Sequence, residues 1–591
     1  MCGIAGIATK NSKTPDDKVL LSLKNALSHR GPDGSGQFKA EGIGLVQTRL
    51  SIIDLAGGSQ PIYETVPNGA VIVANGEIYN YLELKKDFPD YQFSTNSDCE
   101  LPLALWRKYG TDLTKYLRGM YSFAIWDKDT LVIARDEFGI KPLYYAETDK
   151  GFVFASEPKA IIATGLVGNN INDEVTLELM QLQFTTGRKT VFNDIKRLLP
   201  GELLVIKNGE IQSSTVNNIF PEKVVADLSE EEALLKLDEI LLESVEFHQR
   251  ADVPFGMFLS GGIDSTSLLW LMSQLNDTPV QAFTAGFPKT SVHDEREQAK
   301  LITSIVGAKH EEIEITSKDF FDILPSVVNA MDDPCADYAT IPTFMLAKKA
   351  GSSLKVILSG EGGDEIFGGY GRYRSAIRPL FAKQMRRKGT FNGLENLFKK
   401  EHQLFLDKTW RQGFAASERY VSDKHFSKLQ KVQAIDCQDW LPNDLLNKLD
   451  RCLMRNAVEG RVPFLDKNVL NFAFSLPDNL KIKRGKGKWL LRKWLNDRLP
   501  QADAFAHKKG FTVPVFDWIF TEKDRLGKLV AEQDGINKLF EPKAVQELFA
   551  NTDRKNGFVL WSVLFYALWH KIHLQGAECQ QDVFGVLADS H

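Results

Sequence analysis

The sequence begins MCGIAGI, which places a thiol at Cys2, directly after the initiator methionine. Removal of Met1 would leave Cys2 with its own α-amino group, whose ordinary pKa of about 8 is close to that of a thiol. Such an amine can take the proton from the side chain of its own residue, as in N-terminal threonine nucleophiles. Cys2 is therefore a candidate nucleophile that carries its own base.

A histidine is the alternative base. His29, in the turn-like segment SHRGPDG, is the only histidine before position 248. A histidine in such a loop more commonly forms a structural hydrogen bond than takes a catalytic proton, so we expect a structural role for His29.

A thiolate that attacks a carbonyl also needs donors for the developing oxyanion. The segment ANGEIYN offers the side chain of Asn75 and the main-chain N–H of Gly76. One such donor is worth about 2.7 to 4 kcal/mol of transition-state stabilisation. The alternative is a hairpin turn, which the Asn-Gly dipeptide also favours.

A second group of residues could bind phosphate. LSGGIDS at 259–265 lies between an apolar strand pattern and a helix pattern, and such a loop presents main-chain N–H groups and a helix N-terminus to an anion. The chain has no G-x-x-x-x-G-K-[ST] motif, so this is not a loop of the Walker A type. KVILSGEGGDEIFGGYGRYR repeats the strand-then-glycine layout about a hundred residues later. Its acids Glu361 and Asp364 require an answering positive charge if a carboxylate binds there.

The first two hundred residues resemble the class II glutamine amidotransferases. MCGIAGI, SHRGPDG, RLSIIDL, NGEIYNY and STNSDCE occur together and in this order. The resemblance implies an N-terminal-nucleophile fold in which Cys2 attacks the side-chain amide of glutamine. It also implies a glutamine pocket in which Arg49 pairs with the α-carboxylate, the acids bind the α-ammonium, and the pocket residues are Arg49, Ile53 through its backbone, Asn75, Gly76, Glu77 and Asp98. Taken alone, Arg49 could be a surface arginine and Asp98 a helix N-cap.

The segment SGGIDS resembles the PP-loop of ATP pyrophosphatases, which cleave ATP between the α- and β-phosphates. The implied ATP contacts are Leu259, Ser260, Gly261, Gly262, Asp264, Ser265, Ala285, Ser359 and Gly360. The resemblance further implies Mg²⁺ on Asp264 and Asp364, with Glu361 and Lys488 in catalysis. Lys488, in GKWLLRK, matches the lysine that steadies charge during adenylation, although a lysine in a basic run is otherwise a solvated side chain.

RNAVEGRVPFLD at 455–466 and KKGFTVPVFDW at 508–518 complete a resemblance to the glutamine-dependent asparagine synthetases. The implied substrates are glutamine, ATP and a carboxylate, with aspartate as the default acceptor. Relatives of this architecture amidate sugar or peptide acids, and Ala285 and Gly460 depart from the family pattern, so the acceptor stays open. A β-lactam-forming branch is disfavoured because Cys2 and its pocket are intact. An ammonia passage lined by uncharged side chains is expected along the domain interface, and a homodimer is a family-based expectation.

These residues must be positioned by two kinds of domain. Residues 1–205 show short alternating strand patterns with turns, which predicts a sheet-rich α+β domain. The resemblance implies that this domain is an α+β sandwich (αββα) of the N-terminal-nucleophile type. We expect a linker at 206–228. From Ser229, an S-x-x-E capping box and a helix–strand–helix–strand pattern predict an α/β parallel-sheet domain over 229–575, with a helical C-terminal part. The resemblance implies that it is a PP-loop synthetase domain. Residues 576–591 are expected to be a tail that frays.

Composition places the chain among ordinary globular proteins. The 591 residues are 43% hydrophobic and 25% charged, with a formal net charge of −5, so no global positive field attracts nucleic acid. Six cysteines without a C-x-x-C pair, no export signal and no long apolar run predict a cytoplasmic protein that does not span a membrane. A PP-loop enzyme acting on tRNA and a catalytically silent scaffold are the alternatives from other classes. The acidic balance argues against the first, and the retained Cys2, Asn75, Asp264 and Lys488 argue against the second.

Overall fold

The computed structural model describes residues 2–221, 228–290, 292, 294–378, 388–406, 410–506, 512–551 and 553–589. Within these ranges, the N-terminal part contains antiparallel sheets and the C-terminal part contains a parallel sheet surrounded by helices. The motif KKGFTVPVFDW lies partly outside the described residues, which resume at 512.

The N-terminal part holds two six-stranded sheets among the described residues, with orders β10-β8-β9-β1-β3-β2 and β12-β11-β7-β6-β5-β4. Every adjacent pair in these sheets is antiparallel. The strands are β1 (Cys2–Thr9), β2 (Gly34–Ala40), β3 (Ile43–Arg49), β4 (Ile62–Tyr63), β5 (Val71–Ile78), β6 (Gly119–Asp127), β7 (Thr130–Arg135), β8 (Tyr144–Thr148), β9 (Gly151–Ala155), β10 (Lys196–Arg197), β11 (Glu202–Lys207) and β12 (Glu210–Val216).

Alternation along the strands builds a four-layer sandwich. On β1, Ile4 faces a core shared with Val73 of β5, whereas Ile7 packs on the opposite side with α1. The outer face of the second sheet packs against α3. The αββα prediction is confirmed. The helices of this part are α1 (Asp17–Ala26), α2 (Tyr81–Lys85), α3 (Leu101–Tyr109), α4 (Pro158–Ala163) and α5 (Asp173–Leu182).

The sheet region extends past residue 205. The predicted linker, 206–228, begins with the end of β11 and the whole of β12, which pair as a hairpin. Asn208 and Gly209 at its turn both have positive φ, as a tight hairpin of this kind requires. Residues 222–227 of the predicted linker lie outside the described residues.

The C-terminal part contains a parallel sheet of order β15-β14-β13-β16-β17. The order reverses between β13 and β16, and ligands of open α/β sheets bind beyond the carboxyl ends of the strands at such a point. The loops 259–265 and 359–364 follow these two strands, so the sheet brings both phosphate-binding candidates together. The strands are β13 (Phe255–Phe258), β14 (Gln281–Gly286), β15 (Lys309–Glu314), β16 (Val356–Leu358) and β17 (Glu459–Arg461).

Helices cover this sheet and dominate the rest of the described chain. The predicted capping box begins α6, since Ser229 Oγ accepts from Glu232 N at 3.2 Å and Glu232 Oε2 accepts from Ser229 N at 2.9 Å. The helices are α6 (Glu230–His248), α7 (Ile263–Leu275), α8 (Arg296–Val306), α9 (Ser317–Ala330), α10 (Thr340–Ala350), α11 (Gly363–Phe367), α12 (Gly371–Ala376), α13 (Lys400–Leu406), α14 (Gln412–Ser422), α15 (Lys428–Gln438), α16 (Leu446–Met454), α17 (Lys467–Ser475), α18 (Asp478–Lys481), α19 (Trp489–Arg498), α20 (Val515–Thr521), α21 (Lys523–Ala531), α22 (Asp534–Leu539), α23 (Pro542–Ala550), α24 (Gly557–His573) and α25 (Val583–Ala588).

The end of the chain does not fray as predicted over its described part. Asp582 caps α25 by accepting from Gly585 N at 2.7 Å, and Val583 and Phe584 are buried. The ring of Phe584 contacts Phe321 of α9. Tertiary packing of the apolar side chains of α25 therefore holds this six-residue helix against the rest of the protein. None of the described helices is long and apolar enough to cross a membrane.

Candidate active sites

Cys2 and Asn75 meet where two sheets face each other. Cys2 begins β1 and is buried, and its main-chain nitrogen donates to Asn75 Oδ1 at 3.1 Å. The Asn75 side chain is fully buried, and its Nδ2 has no hydrogen-bond partner among the described residues. A buried amide N–H without an acceptor is costly unless a ligand supplies one. Asn75 thus orients the Cys2 nitrogen and offers a donor for a substrate oxygen.

Gly76 lies inside a strand and not in a hairpin turn. Asn75 and Gly76 both belong to β5, so the hairpin alternative for this dipeptide is wrong. Gly76 has φ of 154°, and a Cβ there would lie 2.1 Å from the carbonyl oxygen of Met120 on β6. The close approach of the two strands requires glycine at this position.

The thiol of Cys2 is protonated by default. Burial raises the pKa of Cys2, and the main-chain N–H of Leu50, the side chain of Gln47 and the charge of Arg49 only partly oppose it. A nucleophile in this state needs a base. His29 is engaged elsewhere, since its Nε2 lies 3.1 Å from Glu157 Oε1 and burial lowers its pKa. This contact fits the structural role expected for His29.

Arg49 lies beside the nucleophile. It is the register partner of Cys2 in the β1–β3 ladder and is 9% exposed, so it is not a surface arginine. Its Nη2 donates to the carbonyl oxygens of Asp54 at 2.7 Å and Ile53 at 3.4 Å, and Nη1 donates to Leu55 O at 3.2 Å. The loop around Ile53 therefore holds the guanidinium next to Cys2.

Two acids complete this pocket. Asp98 Oδ2 accepts from Ile78 N at 2.8 Å, while the helix N-cap is Ser97, so Asp98 is not the cap. Glu77 Oε2 accepts from Arg461 Nη2 at 3.0 Å. Burial and then Asp98 raise the pKa of Glu77, and burial also raises the pKa of Asp98. Two buried acids near each other favour the binding of a cation.

The loop after β13 is held by hydrogen bonds from its main chain to the hydroxyls of its own serines. Ser260 N donates to Ser265 Oγ at 3.2 Å, and Gly262 N donates to Ser260 Oγ at 3.3 Å. Gly261 has φ of 64°, which favours glycine. Leu259 is joined to β14 through Phe283 O, and Ala285 lies farther along the same strand. The predicted ATP contacts on β13, β14 and the loop therefore share one edge of the sheet.

The loop after β16 packs directly on the first loop. A Cβ on Gly360 would lie 3.1 Å from the Cβ of Asp264, and one on Gly363 would lie 2.6 Å from Asp264 Oδ1. The hydroxyl of Ser359 donates to Glu361. Glycines thus allow the two acid-bearing loops to touch.

Lys488 lies between the two loops. It is 2% exposed and forms ion pairs with Asp264 and, at 2.8 Å, with Asp364. Burial would lower the pKa of Lys488, but the two carboxylates outweigh it and raise the pKa. Lys488 is therefore a charged group inside the site and not a solvated lysine of a basic run.

Comparisons with known proteins agree with this geometry. Residues 236–571 match the asparagine synthase family and residues 1–217 match the glutamine amidotransferase domain. The chain belongs to the glutamine-hydrolysing asparagine synthetase family. It is 33% identical to the glutamine-hydrolysing asparagine synthetase 1 of Bacillus subtilis over 97% of both chains. It is 28% identical to asparagine synthetase B of Escherichia coli, with 90% of this chain and 86% of that one covered. It is also 26% identical to the amidase chyE of Penicillium rubens, over 94% of this chain and 96% of that one.

Membership establishes the type of enzyme. This is an asparagine synthetase-type amidotransferase that uses glutamine as amido donor and ATP as substrate in a synthetase domain. Its two groups of site residues lie in different parts of the chain, one in the sandwich and one at the edge of the parallel sheet.

The interface between the two parts of this synthetase is rich in buried ion pairs. Arg30 of the sandwich pairs with Asp450 of the C-terminal part at 2.8 Å, and Arg451 of the C-terminal part pairs with Glu157 of the sandwich at 3.2 Å. The expected ammonia passage lined by uncharged side chains stays a prediction. Charged groups persist at the interface because Arg30 and Arg451 are each neutralised by carboxylates within hydrogen-bonding distance.

The sequence patterns did not single out Arg30 and Arg461, which join the two domains. Both arginines lie inside quoted motifs, SHRGPDG and RNAVEGRVPFLD. Arg461 lies between Gly460 and Val462 and two residues after Glu459, and a charged residue next to an apolar run such as VPFL is buried only when paired. That pattern was a usable signal, but the partner, Glu77, is 384 positions away in sequence.

Proposed function

We propose that this enzyme releases ammonia from glutamine at Cys2 and uses ATP to amidate aspartate, giving asparagine, AMP and pyrophosphate. The observation that carries the proposal is the Asn75 side chain, whose Oδ1 holds the Cys2 nitrogen while Nδ2 is left as a donor. The Asn75 side chain therefore contacts the Cys2 nitrogen, which is the proposed base, and carries Nδ2, which is the proposed oxyanion donor.

In the first reaction, the Cys2 amine takes the thiol proton and the sulfur attacks the amide carbon of glutamine. Asn75 Nδ2 and the main-chain N–H of Gly76 stabilise the oxyanion. The C–N bond breaks, the amine returns its proton to the leaving nitrogen, and ammonia departs. Water then cleaves the thioester to release glutamate. Arg49 binds the α-carboxylate, and Glu77 and Asp98 bind the α-ammonium, because a planar cation suits a carboxylate and acids suit an ammonium.

In the second reaction, an oxygen of the acceptor carboxylate attacks the α-phosphorus of ATP and pyrophosphate leaves. The loop residues Ser260, Gly261, Gly262 and Ser265 bind the pyrophosphate group, and Lys488 balances the charge that develops on it. Ammonia then attacks the acyl carbon, the bond to AMP breaks, and Glu361 takes the proton that the nitrogen loses. Leu259, Ala285, Ser359 and Gly360 line the nucleotide position.

We assign a magnesium ion to the nucleotide at Asp264 and Asp364. Both carboxylates converge on Lys488, so two hard oxygen ligands lie at one point beside the phosphate-binding loop. No group of three or more metal-ligating side chains gathers anywhere in the described ranges. This suits Mg²⁺, which binds through one or two carboxylates and substrate phosphates and would supply charge neutralisation there.

Ammonia must travel between the sites without being protonated by water, so we place its path through the domain interface. We also propose a cytoplasmic homodimer. All six cysteines are free thiols, a state that the cytoplasm preserves. Size-exclusion chromatography with light scattering tests the dimer.

The acceptor is tested by measuring pyrophosphate release with a panel of carboxylates, with ¹⁵N-amide glutamine or ammonium as the nitrogen donor. Aspartate should support pyrophosphate and AMP formation, and the label should appear in asparagine. If aspartate does not support pyrophosphate release, the acceptor is another carboxylic acid. The 26% identity to a relative named an amidase is the reason to include other acids in the panel. Formation of ADP in place of AMP would refute the second reaction.

A further inference from the structure

The acid that faces the glutamine ammonium is held by the other domain. Glu77 lies on β5 of the sandwich, and its Oε2 accepts from Arg461 Nη2 of β17 at 3.0 Å. Its other oxygen, Oε1, is buried and has no hydrogen-bond partner among the described residues. One carboxylate oxygen thus serves the domain contact and the other is left for the ligand.

The guanidinium of Arg461 is fixed in place. Arg461 is fully buried, its Nε donates to Glu459 Oε1 at 2.5 Å, and its Nη1 donates to the carbonyl oxygens of His248 at 3.0 Å and Arg250 at 2.7 Å. Every nitrogen of the fork has a partner. A side chain held at four points follows any shift of its own backbone.

The backbone of Arg461 holds the start of the second-site loop. Arg461 is the register partner of Leu358 on β16, and Arg461 O accepts from Ser359 N at 2.8 Å. Ser359 is the first residue after β16, and its hydroxyl donates to Glu361. A single residue therefore binds the nucleotide loop through its main chain and the glutamine pocket through its side chain.

We propose that Arg461 is a positioning residue that couples occupancy of the nucleotide site to the affinity of the glutamine pocket, a coupling that rests on the proposed function. Nucleotide binding orders the loop at Ser359, which fixes the strand that carries Arg461. The fixed guanidinium then holds Glu77 with Oε1 directed at the ligand. Burial and Asp98 raise the pKa of Glu77, and the charge of Arg461 opposes that rise, so the same contact favours the carboxylate form. Coupling of this kind is reciprocal, so glutamine should tighten nucleotide binding by the same factor.

The test measures glutamate release against glutamine concentration, with and without saturating Mg²⁺ and α,β-methylene-ATP, which cannot be cleaved at the reacting bond. In the wild-type enzyme, the nucleotide analogue should lower KM for glutamine by about fivefold or more with little change in kcat. In Arg461→Gln, KM should rise about tenfold or more and the response to the analogue should disappear. Arg461→Lys keeps the charge but cannot reach all the partners, so it should restore part of the affinity and little of the response.

Two controls separate positioning from folding. Ammonia-dependent pyrophosphate release does not need the glutamine pocket and should stay within about twofold of wild type in Arg461→Gln. Arg118→Gln removes another arginine between the domains, one that pairs with Asp466 at 2.7 Å and Glu243 at 2.8 Å. It should leave both KM for glutamine and the analogue response unchanged.

A wild-type KM that ignores the analogue, or an Arg461→Gln enzyme that keeps both KM and response, would overturn the coupling. Loss of ammonia-dependent activity in both Arg461 variants would also overturn it, because the role would then be structural. Absence of glutamate release from the wild-type enzyme would refute the proposed function itself, and the coupling with it. Retained glutamate release with no analogue response would refute the coupling alone.

Discussion

Arg30 and Asp450 form a two-point ion pair between the domains, with Nη1 2.8 Å from Oδ2 and Nη2 3.0 Å from Oδ1. Both side chains are buried, and Arg30 Nε also donates to Cys2 O at 3.3 Å. The pair therefore joins the synthetase part to the strand that carries the nucleophile. Its geometry satisfies both carboxylate oxygens, which a buried pair needs to offset desolvation.

Removing one partner of this pair should destabilise the enzyme. Asp450→Asn leaves the buried Arg30 with Glu157 as its remaining anion, and we expect a loss of about 3 kcal/mol in the free energy of unfolding. Calorimetric melting temperature measures it. Asp33→Asn is the control, since the Lys355–Asp33 pair also joins the domains but is about one-third exposed and should change stability by less than about 1 kcal/mol. Equal effects of the two substitutions would contradict the assigned role of burial.

Cys2→Ala should separate the two reactions. Without the sulfur, glutamine-dependent amidation should fall by about a thousandfold or more, because the substitution removes the proposed nucleophile. Ammonium-dependent amidation should remain, since the second site is in the other domain. Amide formation with each nitrogen donor is the measurement. Loss of both activities in a folded protein would contradict the division between the sites.

Asn75→Ala should act on the chemical step of glutamine hydrolysis. The loss of Nδ2 as oxyanion donor should lower kcat for glutamate release by about 100- to 1,000-fold. Initial rates at saturating glutamine measure it. Asn80→Ala is the matched control, because Asn80 binds Tyr116 O and Arg118 N just beyond β5 and faces neither site. A kcat that is equal in the two variants would rule out the oxyanion role.

Lys488→Met should abolish adenylation and spare glutamine hydrolysis. It removes a buried cation that pairs with both Asp264 and Asp364, so the two acids would repel the phosphates and each other more strongly. We expect pyrophosphate release to fall by at least about a hundredfold with either nitrogen donor. Lys483→Met changes a more exposed lysine that pairs with Glu230 and should keep most activity. Persistent pyrophosphate release in Lys488→Met would contradict the catalytic role.

Local sequence patterns predicted many of the helices and strands, because those elements carry the capping residues and the hydrophobic periodicity that their structures require. The box at Ser229 and Glu232 begins α6 as predicted, and the strand and helix around LSGGIDS appear as β13 and α7. The end of β11 and all of β12 lie in the predicted linker, and the last helix lies in the predicted tail. β12 is mostly polar and α25 has only six residues, so cross-strand pairing and burial of Phe584 against Phe321 decide their structure.

The candidate sites were also predicted by local motifs in part, and the rest depended on tertiary contacts. Motifs predicted the candidate site residues, but Asn75 and Gly76 could not be distinguished from a turn until the register of β5 with β6 was known. Contacts between domains, such as Glu77 with Arg461, depend on how two separately patterned parts pack. No local period encodes that packing, so the partner of a buried charge emerges only from the assembled structure.

Lys481 should give stability a pH dependence that a methionine removes. It is 1% exposed, its Nζ donates to Gln433 Oε1 at 3.2 Å, and burial lowers its pKa from 10.5 to about 8. Below pH 8 the folded and unfolded states both carry the proton, and folding bears the cost of a buried charge. Between about pH 8 and 10.5 only the unfolded state holds the proton, so stability should rise with pH by up to about 1.4 kcal/mol per unit.

The free energy of unfolding of wild type minus that of Lys481→Met should therefore increase across this window and level off on both sides. Lys481→Arg is the control, because arginine stays charged throughout and its difference from Lys481→Met should not change with pH. A flat difference between wild type and Lys481→Met would show that Lys481 keeps its ordinary pKa in the folded enzyme.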